Sequence, residues 1–196
     1  KAYQEEKKTK IVVSKRSWRI FSIGMGIFSV TTVALGAFAA YFYFWSIPVQ
    51  RATVDAQSHF ISKHYDDVAD DLQKFQVNRL GKEAKYVLAS SYVHLDNLSE
   101  EQKSSVLNTI TPSSEENLLD YWIYLGRGDY KKSLDLAQNI GDDQLTLHAY
   151  TNLYEQTRED KNMKGANKQK KLSEYRKEIE ELSKKLGVKV GEEKDE

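Results

Sequence analysis

Cysteine is missing altogether from the 196 residues, so no disulfide supports the fold and packing alone must hold it. Proline occurs only at Pro48 and Pro112, which forces few breaks in regular structure. No stretch alternates convincingly between apolar and polar residues as a half-buried strand does. Apolar residues recur instead at helical spacing, and the expected fold class is all-α. The groups that build an active site are missing too: no nucleophile stands beside a base, no glycine-rich loop could cradle phosphate, and no cluster has metal-ligand spacing. His59 and His64 are five apart rather than the i,i+4 that places two imidazoles on one helix face, and His94 and His148 stand alone. The chain reads as a non-enzyme, with no catalytic, cofactor-binding or metal-binding residues and no nucleic-acid partner.

What the chain does have is one long run without charge. Residues 20–47 make up 28 positions, where about twenty suffice to cross a bilayer. At ~1.5 Å per residue the run is ~42 Å long, beyond a ~30 Å hydrocarbon core, so the helix must tilt or protrude. It is also too long for a secretory signal and lacks a small-residue cleavage site. Trp18 lies at one end, and Tyr41, Phe42, Tyr43, Phe44 and Trp45 crowd the other, as amphipathic rings do at a membrane interface. Pro48 marks where the helix is expected to kink or stop.

The formal net charge of zero conceals an asymmetry about this run. Residues 1–19 carry seven Lys/Arg against two Glu, net +5; residues 49–160 carry net −8, and residues 161–196 net +3. Basic residues beside a spanning helix stay in the cytoplasm. Residues 1–19 are therefore expected to form a cytoplasmic juxtamembrane segment, 20–47 the single transmembrane helix and 48–160 an extracytoplasmic helical domain. Residues 161–196 then form a charged amphipathic helix with a disordered end. The first residue is Lys1 rather than Met, and the sequence is expected to begin inside a longer polypeptide whose upstream part is cytoplasmic.

Within 48–160, helical faces follow one another: Val49, Ala52, Ala56 and Phe60; Tyr65, Val68, Leu72 and Phe75; then, past Gly81, Ala84, Leu88, Ser91 and Leu95. Ser99 with Gln102, and Ser113 with Glu116, have the form of capping boxes that open the next two helices. Residues 126–129 read as a turn, and Gly141 with Asp142 as a helix stop followed by a new N-cap. Tyr86 and Tyr121 are 35 residues apart, close to the ~34-residue period of tetratricopeptide repeats. Trp122, Leu125, Gly126 and Ala137 loosely echo that repeat's consensus, so the expected architecture is a loosely repeat-like stack of helical hairpins. In the tail, Leu172, Tyr175, Ile179, Leu182 and Leu186 form an apolar seam that lies either on the domain or on a partner subunit, flanked by the i,i+4 pairs Glu180 with Lys184 and Glu181 with Lys185.

Several short patterns have bland explanations. Asp66, Asp67, Asp70 and Asp71 could attract a cation but lack the glycine of a calcium loop and read as a solvated face. Arg127, Gly128 and Asp129 spell an adhesion tripeptide that any Gly-rich turn produces by chance. Asn97 to Ser99 is a glycosylation sequon in form, although Ser99 already has a capping role. In the membrane run, Ser22 with Gly26 and Gly36 with Ala40 are small-xxx-small pairs that let two helix backbones approach closely.

Residues 118–128 (LLDYWIYLGRG), followed by 133–137 (SLDLA) and 142–145 (DDQL), and preceded by 85–92 (KYVLASSY) and 98–102 (LSEEQ), form a distinctive order. In that order the sequence resembles the EssB/YukC family of type VII secretion systems of Gram-positive bacteria. The resemblance implies a non-catalytic structural subunit of a membrane machine that exports small helical WXG100-type proteins. It also implies a homodimer in the bilayer that contacts other membrane subunits, including the secretion ATPase, and a kinase-like cytoplasmic domain ahead of Lys1. Tyr121, Trp122, Ile123, Gly126, Arg127 and Gly128 carry over as a structural signature. The alternative is a bitopic receptor or sensor whose outer domain binds a peptide or cell-wall ligand in a groove lined by Trp122, Tyr124 and Tyr150. If copies pair in the bilayer, replacing Gly36 and Ala40 by Leu weakens the dimer, read as loss of cross-linked species in membranes; an undiminished dimer moves the contact elsewhere.

Overall fold

The computed structural model describes residues 14–188. Most of the expected basic lead-in (1–13) and the last residues of the expected disordered tail (189–196) lie outside the described residues. The chain divides into two compact units at Pro48 and Val49.

The first unit is built on α1 (Lys15–Tyr41), opened by Ser14, whose hydroxyl accepts from the Ser17 amide. None of its residues is buried. The most apolar window here has a mean hydropathy of 1.8 and no share buried in protein, as suits a helix surrounded by lipid. Its two threonine hydroxyls are satisfied internally: Thr31 and Thr32 donate to the Ile27 and Phe28 carbonyls at 2.9 and 2.8 Å, so neither donor is left open to hydrocarbon. A π-helical turn, Phe42–Ser46, follows, in which the Ile47 amide reaches back to the Phe42 carbonyl. Of the expected kink or stop, Pro48 does not bring a stop. It is the second residue of α2 (Ile47–Ile61), and the wide turn directly before it loosens the hydrogen-bond ladder ahead of a residue that has no N–H to donate.

The second unit contains α3 (Tyr65–Gln73), a 3-10 turn (Val77–Arg79), α4 (Lys82–Leu95), α5 (Glu100–Thr109), α6 (Glu116–Gly126), α7 (Tyr130–Ile140), α8 (Asp143–Glu159) and α9 (Ala166–Leu186). Helices α3, α4, α6, α7, α8 and α9 pack in series, each on the next, while α5 leans on α4. The expected faces are the buried ones in most places: Val49, Ala52 and Ala56 from α2, Val68 and Leu72 from α3, Ala84, Leu88 and Ser91 from α4. Leu95 departs from this and is 48% exposed, at the C-terminal end of α4. Helix α6 is the centre. Leu119, Tyr121, Trp122, Ile123 and Leu125 are all buried, a face too broad for one neighbour to cover, while Glu116, Asn117 and the half-buried Asp120 and Tyr124 make up the other side.

Caps set most boundaries. The Ser99 box forms, with Ser99 accepting from the Gln102 amide at 3.2 Å and Gln102 accepting from the Ser99 amide at 2.9 Å. The Ser113 box does not. Ser114 accepts from the Thr111 amide at 2.9 Å and Ser113 bonds the Thr111 hydroxyl at 3.0 Å, so both hydroxyls close the Thr111–Pro112 turn and α6 starts later, behind Glu115. Gly141 takes the left-handed conformation at φ 78°, and Asp142 accepts from the Gln144 and Leu145 amides.

The apolar seam of the tail is covered within the chain: α9 packs on α8, with Ile179 buried and the Tyr175 ring 6.0 Å from Tyr150. Leu172, Tyr175, Leu182 and Leu186 are half-buried along the same face. The expected pairs shift accordingly, Lys185 turning to Asp143 of α8 and Glu181 to Lys177 at 3.6 Å. Gly187, in the left-handed region, and Val188, whose amide reaches the Ser183 carbonyl at 3.0 Å, form an ordered helix end where disorder was expected.

Lys85 of α4 is paired with α6 twice, closely with Asp120 and at 3.7 Å with Glu116. The Lys85 ammonium, on a residue only 4% exposed, lies 2.9 and 3.1 Å from the two Asp120 carboxylate oxygens. Burial raises the Asp120 pKa, and the Lys85 charge holds that rise in check. Replacing Asp120 by Ala strands a buried cation and is expected to cost about 3 kcal/mol, whereas Lys85→Met with Asp120→Leu recovers most of it. Urea unfolding of the four combinations tests this; additive losses would show that the pair is not coupled.

Candidate functional site

The structure places the sequence-predicted residues in two groups, one in each unit. On α1, Ser22, Gly26, Gly36 and Ala40 are all exposed, and a Cβ built on Gly26 or Gly36 meets nothing within 4 Å. This face is open to whatever surrounds the helix.

The signature residues are brought together at the end of α6. Tyr121, Trp122 and Ile123 are buried in the core. Tyr121 donates its hydroxyl to the Leu145 carbonyl of α8 at 2.9 Å, and burial pushes its pKa far up, so it stays a neutral donor. Gly126 lies against the Tyr92 ring of α4, where a Cβ would come within 2.1 Å of the ring. Only glycine permits that approach. Arg127 donates from Nη2 to the Leu72 carbonyl at 3.0 Å, satisfying the last turn of α3, and also bonds Tyr92. Gly128 turns the chain at φ 74°, and Asp129 caps α7 by accepting from the Lys132 amide. Both charged ends of the adhesion tripeptide are thus engaged in holding helices.

The histidines and aspartates serve packing. His59 Nδ1 is 2.9 Å from Asp71, His64 lies 3.6 Å from Asp67, and Asp70 accepts from Gln73. The aspartates thus close the elbow between α2 and α3 as well as facing solvent. His94 stacks on Tyr65 with ring centroids 3.9 Å apart, and burial lowers its pKa. The groove envisaged for a receptor is not assembled. Trp122 is in the core, Tyr124 lies under the Lys132 ammonium, and Tyr150 faces Tyr175 of α9.

Sequence reasoning missed a different cleft. Two adjoining hollows of about 530 and 510 Å3 share Leu98, His148 and Thr151, and run along α8 with α5 as the opposite wall of the larger. At the base, His148 lies 3.4 Å from Asp96 and its ring 5.7 Å from Trp122. The pattern Gln144, His148, Thr151, Glu155 at helical spacing was available as a polar face of α8, but nothing local could tell that α5 would stand across from it.

A family model described as "WXG100 protein secretion system (Wss), protein YukC" matches residues 1–185. The chain is 46% identical over 175 residues to an uncharacterized protein of Clostridium acetobutylicum, covering 89% of this chain and 47% of that protein. It is 33% identical over 135 residues to the ESX secretion system protein YukC of Bacillus subtilis, covering 68% of this chain and 30% of that one. It therefore spans less than half the length of these relatives. Among solved structures it is similar to the crystal structure of the Geobacillus thermodenitrificans EssB extracellular fragment, at TM-score 0.66 and 36% identity over 71% of this chain and 93% of that one.

The close contact at the end of α6 sets a stability test. Gly126→Ala should destabilise by about 1–3 kcal/mol through overpacking, and the loss should shrink when Tyr92 is also truncated to Ala. Thermal unfolding of the two single variants and the double variant checks it; an unchanged loss in the Tyr92→Ala background would place the strain elsewhere.

Proposed function

The chain belongs to the YukC family of the WXG100 protein secretion system, and from that premise we propose that it is a non-catalytic structural subunit of a type VII secretion machine. The observation that carries this reading is the match over residues 1–185, which takes in both the apolar helix and the helical unit. In this reading α1 anchors the chain in the lipid bilayer as a single pass. The N-terminal side is cytoplasmic and residues 48–160 lie outside, supported by the net +5 of residues 1–19 against net −8 of 49–160 and by the likeness to a fragment described as extracellular. The partners are the other membrane subunits of the machine, including the secretion ATPase, and a second copy of the chain. The small-residue face of α1 supports a homodimer contact in the bilayer. Small helical WXG100-type proteins are the cargo.

Deleting the gene should abolish export of WXG100-type proteins while leaving their synthesis intact, read by immunoblot of medium and cells; normal export without it would overturn the assignment. The orientation has its own test, since these 196 residues contain no cysteine to compete with an introduced one. In intact cells a membrane-impermeant maleimide should label Ser104→Cys and leave Ser14→Cys untouched. The reverse labelling would invert the topology.

A further inference from the structure

We propose that the cleft between α5 and α8 is a docking groove for an amphipathic helix of a partner protein, one whose apolar ridge is flanked by Lys or Arg. The inference rests on the geometry of the cleft alone and goes beyond the secretion reading. Its floor and walls are apolar, from Leu98, Val106, Leu145, Leu147, Leu186 and Val188. Trp122 also lines it, is 1% exposed, and has a buried indole Nε1–H with no acceptor. The Trp122 ring lies beside His148 in the cleft wall, so its indole signal reports on what enters.

The shape points to a helix. From Gln144 to Glu155 the α8 wall is ~17 Å long, about three helical turns, and a trough between two helices is the geometry into which a third helix lays its ridge. The α5 wall has no buried residue of its own and leans chiefly on α4, so it can adjust to what enters. Charge selects the flanks. Glu101 and Asp96 lie along the cleft, with Glu155 beside them paired to Arg158; His148 is opposed by Asp96 at 3.4 Å, and no Lys or Arg occurs among the described lining residues. A helix with acidic flanks would be repelled, and one with basic flanks drawn in.

The test uses the full chain in nanodiscs of zwitterionic lipid, with 15N-labelled tryptophan, so that Trp18, Trp45 and Trp122 each give one indole signal. A synthetic amphipathic peptide of about five turns, leucine on one face and lysine on the other, should move the Trp122 signal saturably and leave Trp18 and Trp45 in place. The same peptide with glutamate for lysine should bind at least about tenfold more weakly, and Glu101→Lys should weaken the lysine peptide about threefold. Equal binding of the two peptides, or movement of Trp18 and Trp45 without Trp122, would overturn the proposal. So would a chain ended at residue 188 whose Trp122 signal already differs from that of the full chain, because the occupant would then be its own last residues.

Discussion

At Gly126 the backbone of α6 meets the face of the Tyr92 ring with no side chain of its own in between, and the serial stack hangs on that contact. It sets how closely α4 and α6 approach at one end, while Lys85 and Asp120 set the other end. Leu88, Leu119 and Ile123 fill the core around these helices and are fully buried. Once α6 is seated, its last residues place their neighbours: Arg127 reaches back to α3, Gly128 turns the chain, and Tyr121 reaches forward to α8. Four helices are thus located from one helix, which is why its apolar face is so broad.

Two solvents divide the rest of the chain. In the helical unit, apolar side chains are removed from water by one another, and with no cysteine the stability comes from that burial at roughly 25 cal/mol per Å2 of apolar surface. In α1 the same kinds of side chain stay exposed, since hydrocarbon does not penalise them, and the constraint passes to the polar groups. Thr31 and Thr32 meet it by bonding back to their own helix. Aromatic residues gather where the two regimes meet, with Tyr41 and Trp45 stacked at 6.3 Å.

A structural subunit works through surfaces, and the charged and aromatic residues that would attract a search for chemistry are here committed to holding helices. His59 and Asp71 close an elbow, His94 stacks on Tyr65, and the Arg127 and Asp129 ends of the adhesion tripeptide bond a carbonyl and cap a helix. Two features stay open among the described residues, the small-residue face of α1 and the cleft along α8, whose base holds the His148 and Asp96 pair.

The sequence by itself determined the apolar run, the all-helical class, the Ser99 box, and the stop and start at Gly141 and Asp142. Each depends on residues within a few positions of one another, through hydrophobic periodicity or a single turn of hydrogen bonds. The spacing of 35 between Tyr86 and Tyr121 also hinted at the hairpin period, and Lys85 with Asp120, the neighbouring pair at that spacing, turns out to bridge two hairpins. Only the tertiary structure decided that the Ser113 and Ser114 hydroxyls turn back on Thr111, that the seam of α9 is covered by α8, and that Gly126 is required by Tyr92. It alone also set α5 across from α8. At Ser113 and Ser114 two local hydrogen-bond patterns competed within one turn; in the others a local preference was equally compatible with several partners, and the partner was fixed by side chains brought together from distant parts of the chain, whose contacts no periodicity records.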